Sequence, residues 1–138
     1  MSNHPIQVTT FDLERLRNLI ETYRSSGKVK KEPLDELEKE LDRAVVVDPS
    51  EISGEVVTMN STICMEDMHT GDQRTISLVF PSDADLDRGK ISILAPIGMA
   101  LLGYRKDATI EWKVPSGIRK FKITRIVYQP EAAGRFDI

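Results

Sequence analysis

Apolar positions along this chain follow two different periods. From about Thr10 to Val47 they recur at steps of three and four: Leu13, Leu16, Ile20 and Tyr23, then Leu34, Leu37, Leu41 and Ala44 or Val45. That spacing places each set on one stripe of an amphipathic helix. Thr9 and Asp12 stand at capping-box spacing ahead of the first helix, and Asp12 and Glu14 suit its positive end. Gly27, after Ser25-Ser26, supplies the left-handed stop, and Pro33 marks the start of the second helix. Two apolar stripes joined by a short link bury each other most simply as an antiparallel hairpin. Its arms are about 15 residues, a little over 20 Å, each. Asp48 to Gly54 reads as a linker.

Beyond Glu55 the signals belong to strands. Val56 to Met65 is rich in β-branched residues and is followed by a turn at His69-Thr70-Gly71-Asp72 and a second run, Thr75 to Phe80. Ile91 to Leu94 reads as a short strand, and Pro96 to Leu102 as one short helix closed by Gly103. A second hairpin comprises Thr109 to Val114, a turn at Pro115-Ser116-Gly117, and Ile118 to Tyr128. Within it Phe121, Ile123 and Arg125 alternate with Lys120, Lys122 and Thr124 as an inner and a wet face. The tail after Gln129 has no period. The division this implies is a helical hairpin, 1–50, and a sheet domain, 51–138.

Composition narrows the function. The chain has 138 residues, 19 basic against 22 acidic, for a net charge of −3. A protein held mainly by the nucleic-acid backbone carries a basic excess, so free DNA or RNA is not the expected partner. A single cysteine, Cys64, forms no internal disulfide, and the N-terminus lacks the pattern of a signal peptide. The most apolar stretch, Ile91 to Gly103, is too short to cross a bilayer. A cytoplasmic protein with no membrane partner is expected.

Candidate chemistry is sparse. His4, His69 and Cys64 lie far apart without metal-ligand spacing, and no cofactor is signalled. Gly98 and Gly103 have the glycine spacing of a phosphate loop, but Tyr104-Arg105 follows in place of Lys and Ser or Thr. Helix packing and a helix stop account for those glycines. The acids Asp35, Glu36, Glu38, Glu40 and Asp42 are interleaved with the leucines of the second helix and read as a solvated face. The hairpin tip stands out: Arg24, Lys28, Lys30 and Lys31 occur with no acid between them. They form either a solvated turn or a basic probe for an acidic or phosphate-bearing surface.

The stretches "ISILAPIGMALLG", "IEWKVPSG" and "ITRIVYQPEAAG" resemble the C-terminal domain of the bacterial transcript-cleavage factors, the Gre family. "LDRAVVVDPSEI" and "VVTMNSTI" are similar to the branch of that family that regulates nucleoside diphosphate kinase. The resemblance covers almost the whole chain. It implies an α+β fold: a short antiparallel helical hairpin, then an FKBP-like domain in which a curled antiparallel sheet lies over one short helix. It also implies RNA polymerase as partner, with the C-terminal domain docked on a coiled coil at the rim of the secondary channel and the hairpin directed into it. Nucleoside diphosphate kinase enters as a target of expression or as a direct partner.

Two departures follow from that resemblance. Where the cleavage factors have an acid, a serine and a proline ahead of the short helix, this chain has Leu94-Ala95-Pro96. Leu94, Ala95, Pro96 and Ile97 are therefore candidates for an apolar docking edge, while Ile91, Ile93, Leu101 and Leu102 fill the core. The paired acids that hold a metal ion at the cleavage-factor tip are replaced by Ser25-Ser26-Gly27-Lys28. A lysine ammonium has no lone pair for a cation, so the expected protein is a non-enzymatic regulator without transcript-cleavage activity. Prolyl isomerase activity would need an aromatic-lined pocket, and Trp112, Tyr104, Tyr128, Phe80 and Phe121 are dispersed.

Overall fold

The computed structural model describes residues 6–114 and 117–135, so His4 and the Pro115-Ser116 turn lie outside the described residues, as does the side chain of Trp112. Helix α1 (Thr10–Ser26) begins as its sequence dictates: Thr9 Oγ1 accepts the Asp12 N–H at 3.0 Å. It ends at Gly27, whose φ of 66° permits the left-handed cap, with its N–H donated to Tyr23 O. Only half of the expected capping box forms, because the Asp12 carboxylate turns inward instead of back to the helix end. Helix α2 (Lys31–Arg43) starts two residues ahead of Pro33. Leu16 and Ile20 of α1 are buried with Leu34, Leu37 and Leu41 of α2, and Leu13 and Tyr23 pack beside them.

The second stripe ends earlier than its period suggests. Val45 is not helical; Val45–Val47 forms a strand, β2, that pairs in parallel with β1 (Gln7–Thr9). The triplet of β-branched valines favours this extended state over a further helical turn. Val45 N–H donates to Ile6 O at 2.8 Å, which closes the base of the hairpin.

The remaining strands form one five-stranded sheet. β3 (Thr62–Asp67) and β4 (Gln73–Val79) make the first hairpin, and β6 (Thr109–Val114) and β7 (Gly117–Tyr128) the second. β5 (Lys90–Ser92) lies at the edge beside β4, giving the order β5-β4-β3-β7-β6. The sheet is mixed, not purely antiparallel, because β5 runs parallel to β4. Two 3₁₀ turns between them, Pro81–Asp83 and Leu86–Arg88, bring the chain back in the same direction.

Val56 to Ser61, expected as the start of a strand, is instead a buried loop: Val57 and Met59 are in the core without ladder partners of their own. The alternation along β7 also breaks. Met65 faces Ile123 but Cys64 faces Arg125, so Thr124 is an extra, bulged residue. The bulge reverses the face, leaving Arg125 exposed and packing Ile126 against the core, while Phe121 and Ile123 are buried as the pattern requires.

Helix α3 (Pro96–Leu101) packs on β5 and β6. Gly98 lies on the Ser92 backbone so closely that a Cβ would come within 2.1 Å of the Ser92 oxygen. Gly103, at φ 81°, passes Ile6 with a Cβ space of 2.3 Å. These glycines serve close packing and not a phosphate loop. Ile6, Val8, the hairpin leucines, the sheet and α3 form a single hydrophobic cluster.

Candidate functional site

At the tip, the turn is held locally: Ser26 Oγ donates to Tyr23 O at 3.0 Å and accepts the Lys28 N–H at 3.2 Å. Arg24 belongs to the arms, not to the tip. Its guanidinium reaches across to Asp35 at 2.6 Å and Glu38 at 3.0 Å, and these carboxylates raise its pKa further. Arg17 pairs likewise with Asp42 at 3.0 Å. The exposed tip charges are thus Lys28, Lys30 and Lys31. Lys30 is the N-cap of α2 without a side-chain bond to it, and Lys31 is its first residue. Cations there oppose the helix dipole by about 0.3–1 kcal/mol each, which Glu32 in the first turn partly offsets.

The Leu94–Ile97 segment divides between core and surface. Ile97 is 6% exposed and part of the hydrophobic cluster, so it is not a docking residue; the first turn of α3 faces it inward beneath Pro96. Pro96 is exposed, and Leu94 and Ala95 are half-buried. Ile93, Leu101 and Leu102 fill the core as expected, and Ile91 packs partly against it. Ala95 caps α3 without a side-chain bond, but Pro96 removes one orphan N–H and Ser92 Oγ accepts the Leu94 N–H at 3.0 Å. Leu94 and Pro96, with Met99 and Tyr104, line one wall of a groove of about 410 Å³ whose other wall is α2.

A third locus carried no periodic signal in the sequence. Asp12, fully buried, binds Arg15 Nη2 through Oδ1 at 2.5 Å and accepts the Met59 N–H on Oδ2 at 3.0 Å. Arg15 lies over the rings of Phe11 and Phe80, 4.0 and 4.8 Å from their centroids. Thr58 Oγ1 donates to Glu131 at 2.8 Å and lies 2.9 Å from Ser61 Oγ. Gln129 Nε2 donates to Ser53 O and Val56 O at 2.7 Å each. Burial pushes both Asp12 and Glu131 above the usual carboxylate range, and for Glu131 the Asp12 charge adds to it. This network ties α1, the 56–61 loop and the C-terminal tail together, fixing the arm on the sheet domain. Isolated acids and amides in sequence do not announce such pairing.

Cys64, half-buried, lies 3.4 Å from Thr75 Oγ1, and His69 is exposed at the β3–β4 turn. Among the described residues no group of three or more His, Cys, Asp or Glu could hold a metal ion, and no helix is long and apolar enough to cross a membrane.

Comparison with known proteins agrees with this geometry. Residues 52–128 match the family model of the C-terminal part of transcription elongation factors GreA and GreB, and residues 4–47 match that of the Rnk N-terminus. The chain is 36% identical over 138 residues to the regulator of nucleoside diphosphate kinase of Escherichia coli strain K12, covering 99% of this chain and 98% of that one. It is 37% identical over 91 residues to the transcription elongation factor GreA of Azorhizobium caulinodans, covering 66% of this chain and 58% of that one. A solved GreA/GreB elongation factor from Nitrosomonas europaea superposes with a TM-score of 0.75 at 40% identity, covering 91% of this chain and all of that one. The Gfh1 protein of Thermus aquaticus superposes with a TM-score of 0.50 at 26% identity, covering 88% and 97%. With both halves matched in order and over nearly the full length, the chain belongs to the family of the regulator of nucleoside diphosphate kinase, whose C-terminal half is that of the elongation factors GreA and GreB.

Proposed function

We propose that this protein is a non-enzymatic, cytoplasmic transcription regulator. It binds RNA polymerase near the secondary channel and competes with Gre-type factors without stimulating transcript cleavage. Its influence on nucleoside diphosphate kinase is then exerted through expression. One observation carries the reading: a fixed helical arm ends in Lys28, Lys30 and Lys31, and no acid stands on its tip. Such an arm can occupy a channel lined with acidic or phosphate groups, and its tip, Arg24 to Lys31, offers no carboxylate with which to deliver a catalytic cation.

The docking edge reduces to Leu94, Ala95 and Pro96. The FKBP-like description of the sheet domain is part of the proposal. It is supported by α3 touching both edge strands, β5 and β6; strands spaced about 4.8 Å apart must curve for one short helix to do so. Treating the arms as a short coiled coil rests on their paired leucine stripes.

The test is retention of RNA polymerase by the immobilised protein, with a GreA-type factor as competitor and RNA cleavage in a stalled elongation complex as second readout. Retention lost to the competitor, with no cleavage, is expected. Metal-dependent trimming of the RNA would overturn the proposal. Leu94→Arg should lower retention at unchanged folding, and Lys28→Glu with Lys30→Glu should change transcription but not thermal stability.

A second reading, direct contact with nucleoside diphosphate kinase, is favoured by the name of the Escherichia coli relative. Titrating the purified protein into a kinase assay separates the two, since indirect control leaves the kinase unaffected. A prolyl isomerase is disfavoured: Phe80 stacks on Arg15, Tyr104 lines the groove and Phe121 is in the core, three separate places.

A further inference from the structure

Helix α2 carries two acidic rows, and only one is neutralised among the described residues. Asp35, Glu38 and Asp42 meet Arg24 and Arg17 of α1. Glu32, Glu36 and Glu40 stand at four-residue steps on another side and take part in none of the ion pairs found among the described residues. Like charges at that spacing repel by about 0.2–0.5 kcal/mol per pair. These three glutamates, with Pro33, form the α2 wall of the 410 Å³ groove, opposite the apolar wall at Leu94, Pro96 and Met99.

The groove is therefore two-sided in chemistry: one flank apolar, the other a ladder of carboxylates rising about 6 Å per step. Two helices, α2 and α3, flank it. We propose that this groove is a docking site for an amphipathic helix of a partner protein, one that carries lysine or arginine at four-residue steps beside an apolar stripe. The apolar stripe covers Leu94, Pro96 and Met99, and the cations meet Glu32, Glu36 and Glu40 in register, because both helices share the same rise per turn. A nucleic acid is excluded by the sign of the wall. The proposal deepens the polymerase-docking reading, since Leu94 and Pro96 belong to both.

The probe is a synthetic amphipathic peptide of about 18 residues, roughly 27 Å as a helix, with leucines on one stripe and lysines at four-residue steps beside it. Its counterpart has glutamate in place of each lysine. Binding is read by fluorescence anisotropy and by NMR shifts of the Met99 and Ala100 methyl groups. The lysine peptide should bind, move those methyls and lose affinity with added salt; the glutamate peptide should not bind. Glu32→Gln, Glu36→Gln and Glu40→Gln together should weaken the lysine peptide at least about tenfold, the scale of a few charge pairs at an interface. Ala100→Arg, which fills the groove, should abolish binding even if the triple variant were destabilised. Equal binding of the two peptides, unchanged affinity in either variant, or shifts confined to another face would overturn the proposal, as would concentration-dependent self-association through the groove.

Polymerase retention runs in parallel. Equal retention by parent and triple variant sinks the acidic-wall proposal and leaves the docking reading standing. No retention by the parent sinks the docking reading, and the peptide selectivity still decides the groove.

Discussion

Asp12 has no exposed surface, yet it holds two partners from different parts of the chain: Arg15 on its own helix and the Met59 N–H on the 56–61 loop. Truncating it leaves the buried Met59 amide unpaired and takes from the part-buried Arg15 guanidinium its carboxylate at 2.5 Å, so Asp12→Ala should destabilise the fold by about 1–3 kcal/mol in denaturant unfolding. Its pKa is raised in the folded state, as is that of Glu131. The folded protein thus holds these protons more tightly than the unfolded chain does, and the stability they contribute is lost as pH rises through the folded value. Relative to Asp12→Asn, the parent should gain stability as pH falls through the raised folded value toward the ordinary carboxylate value of 3.8. Asp67 behaves oppositely. The Arg119 guanidinium, then the His69 and Thr70 N–H groups, hold its carboxyl down to about 2. Its contribution is present above pH about 3.8 and lost as pH falls toward about 2, so Asp67→Asn should flatten that part of the acid-unfolding curve. Urea titrations across pH distinguish the two slopes.

At the scale of elements, the close approaches are made by glycines whose need is steric. Gly98→Ala drives a methyl into the Ser92 carbonyl, a backbone atom with no room to yield. We expect a loss of about 1–3 kcal/mol in thermal unfolding. Peptide and polymerase binding should weaken with it, because α3 carries the apolar groove wall. Gly71→Ala at the β3–β4 turn meets nothing within 4 Å; its cost arises only from φ of 80° and should be about 1 kcal/mol or less. The helices were legible because their stripes obey a period and their ends carry local chemistry at Thr9 and Gly27. β1 was not, since three residues, Gln7–Thr9, give no period and their pairing with Val45–Val47 is set by the hairpin that separates them. The phase of β7 was misread past Ile123 for a related reason: a bulge is decided by the partner strand, here at Cys64 and Met65.

For the whole molecule, the arm and the sheet domain share one cluster, with Val8, Leu16, Ile20 and the α2 leucines packed together with Met59, Ile63 and Ile123. A fragment of residues 51–138 exposes that flank and also loses the Asp12–Met59 bond. Its thermal midpoint should fall well below that of the intact chain, with weakened near-ultraviolet circular dichroism. An unchanged midpoint would show the halves to be energetically independent. Tip substitutions are for this reason a cleaner probe of the arm than its deletion. The site was only partly readable. The exposed charge of Lys28, Lys30 and Lys31 could be read from their run alone, whereas Arg24 is drawn out of that group by Asp35 and Glu38 on the opposite helix. Ile97 was misplaced because an apolar residue beside a proline reads the same whether it faces water or core.

Sequence alone determined the two helices, the stop of the first at Gly27, the hairpins and the absence of acids at the tip, since each depends on neighbours within about one turn or one β-turn. Tertiary structure decided which of the apolar residues around Pro96 remain reachable, which cations are already paired, and that three glutamates of α2 face an apolar wall some sixty residues away in the chain. These depend on contacts between segments distant in sequence, for which a single chain of letters carries no local signal.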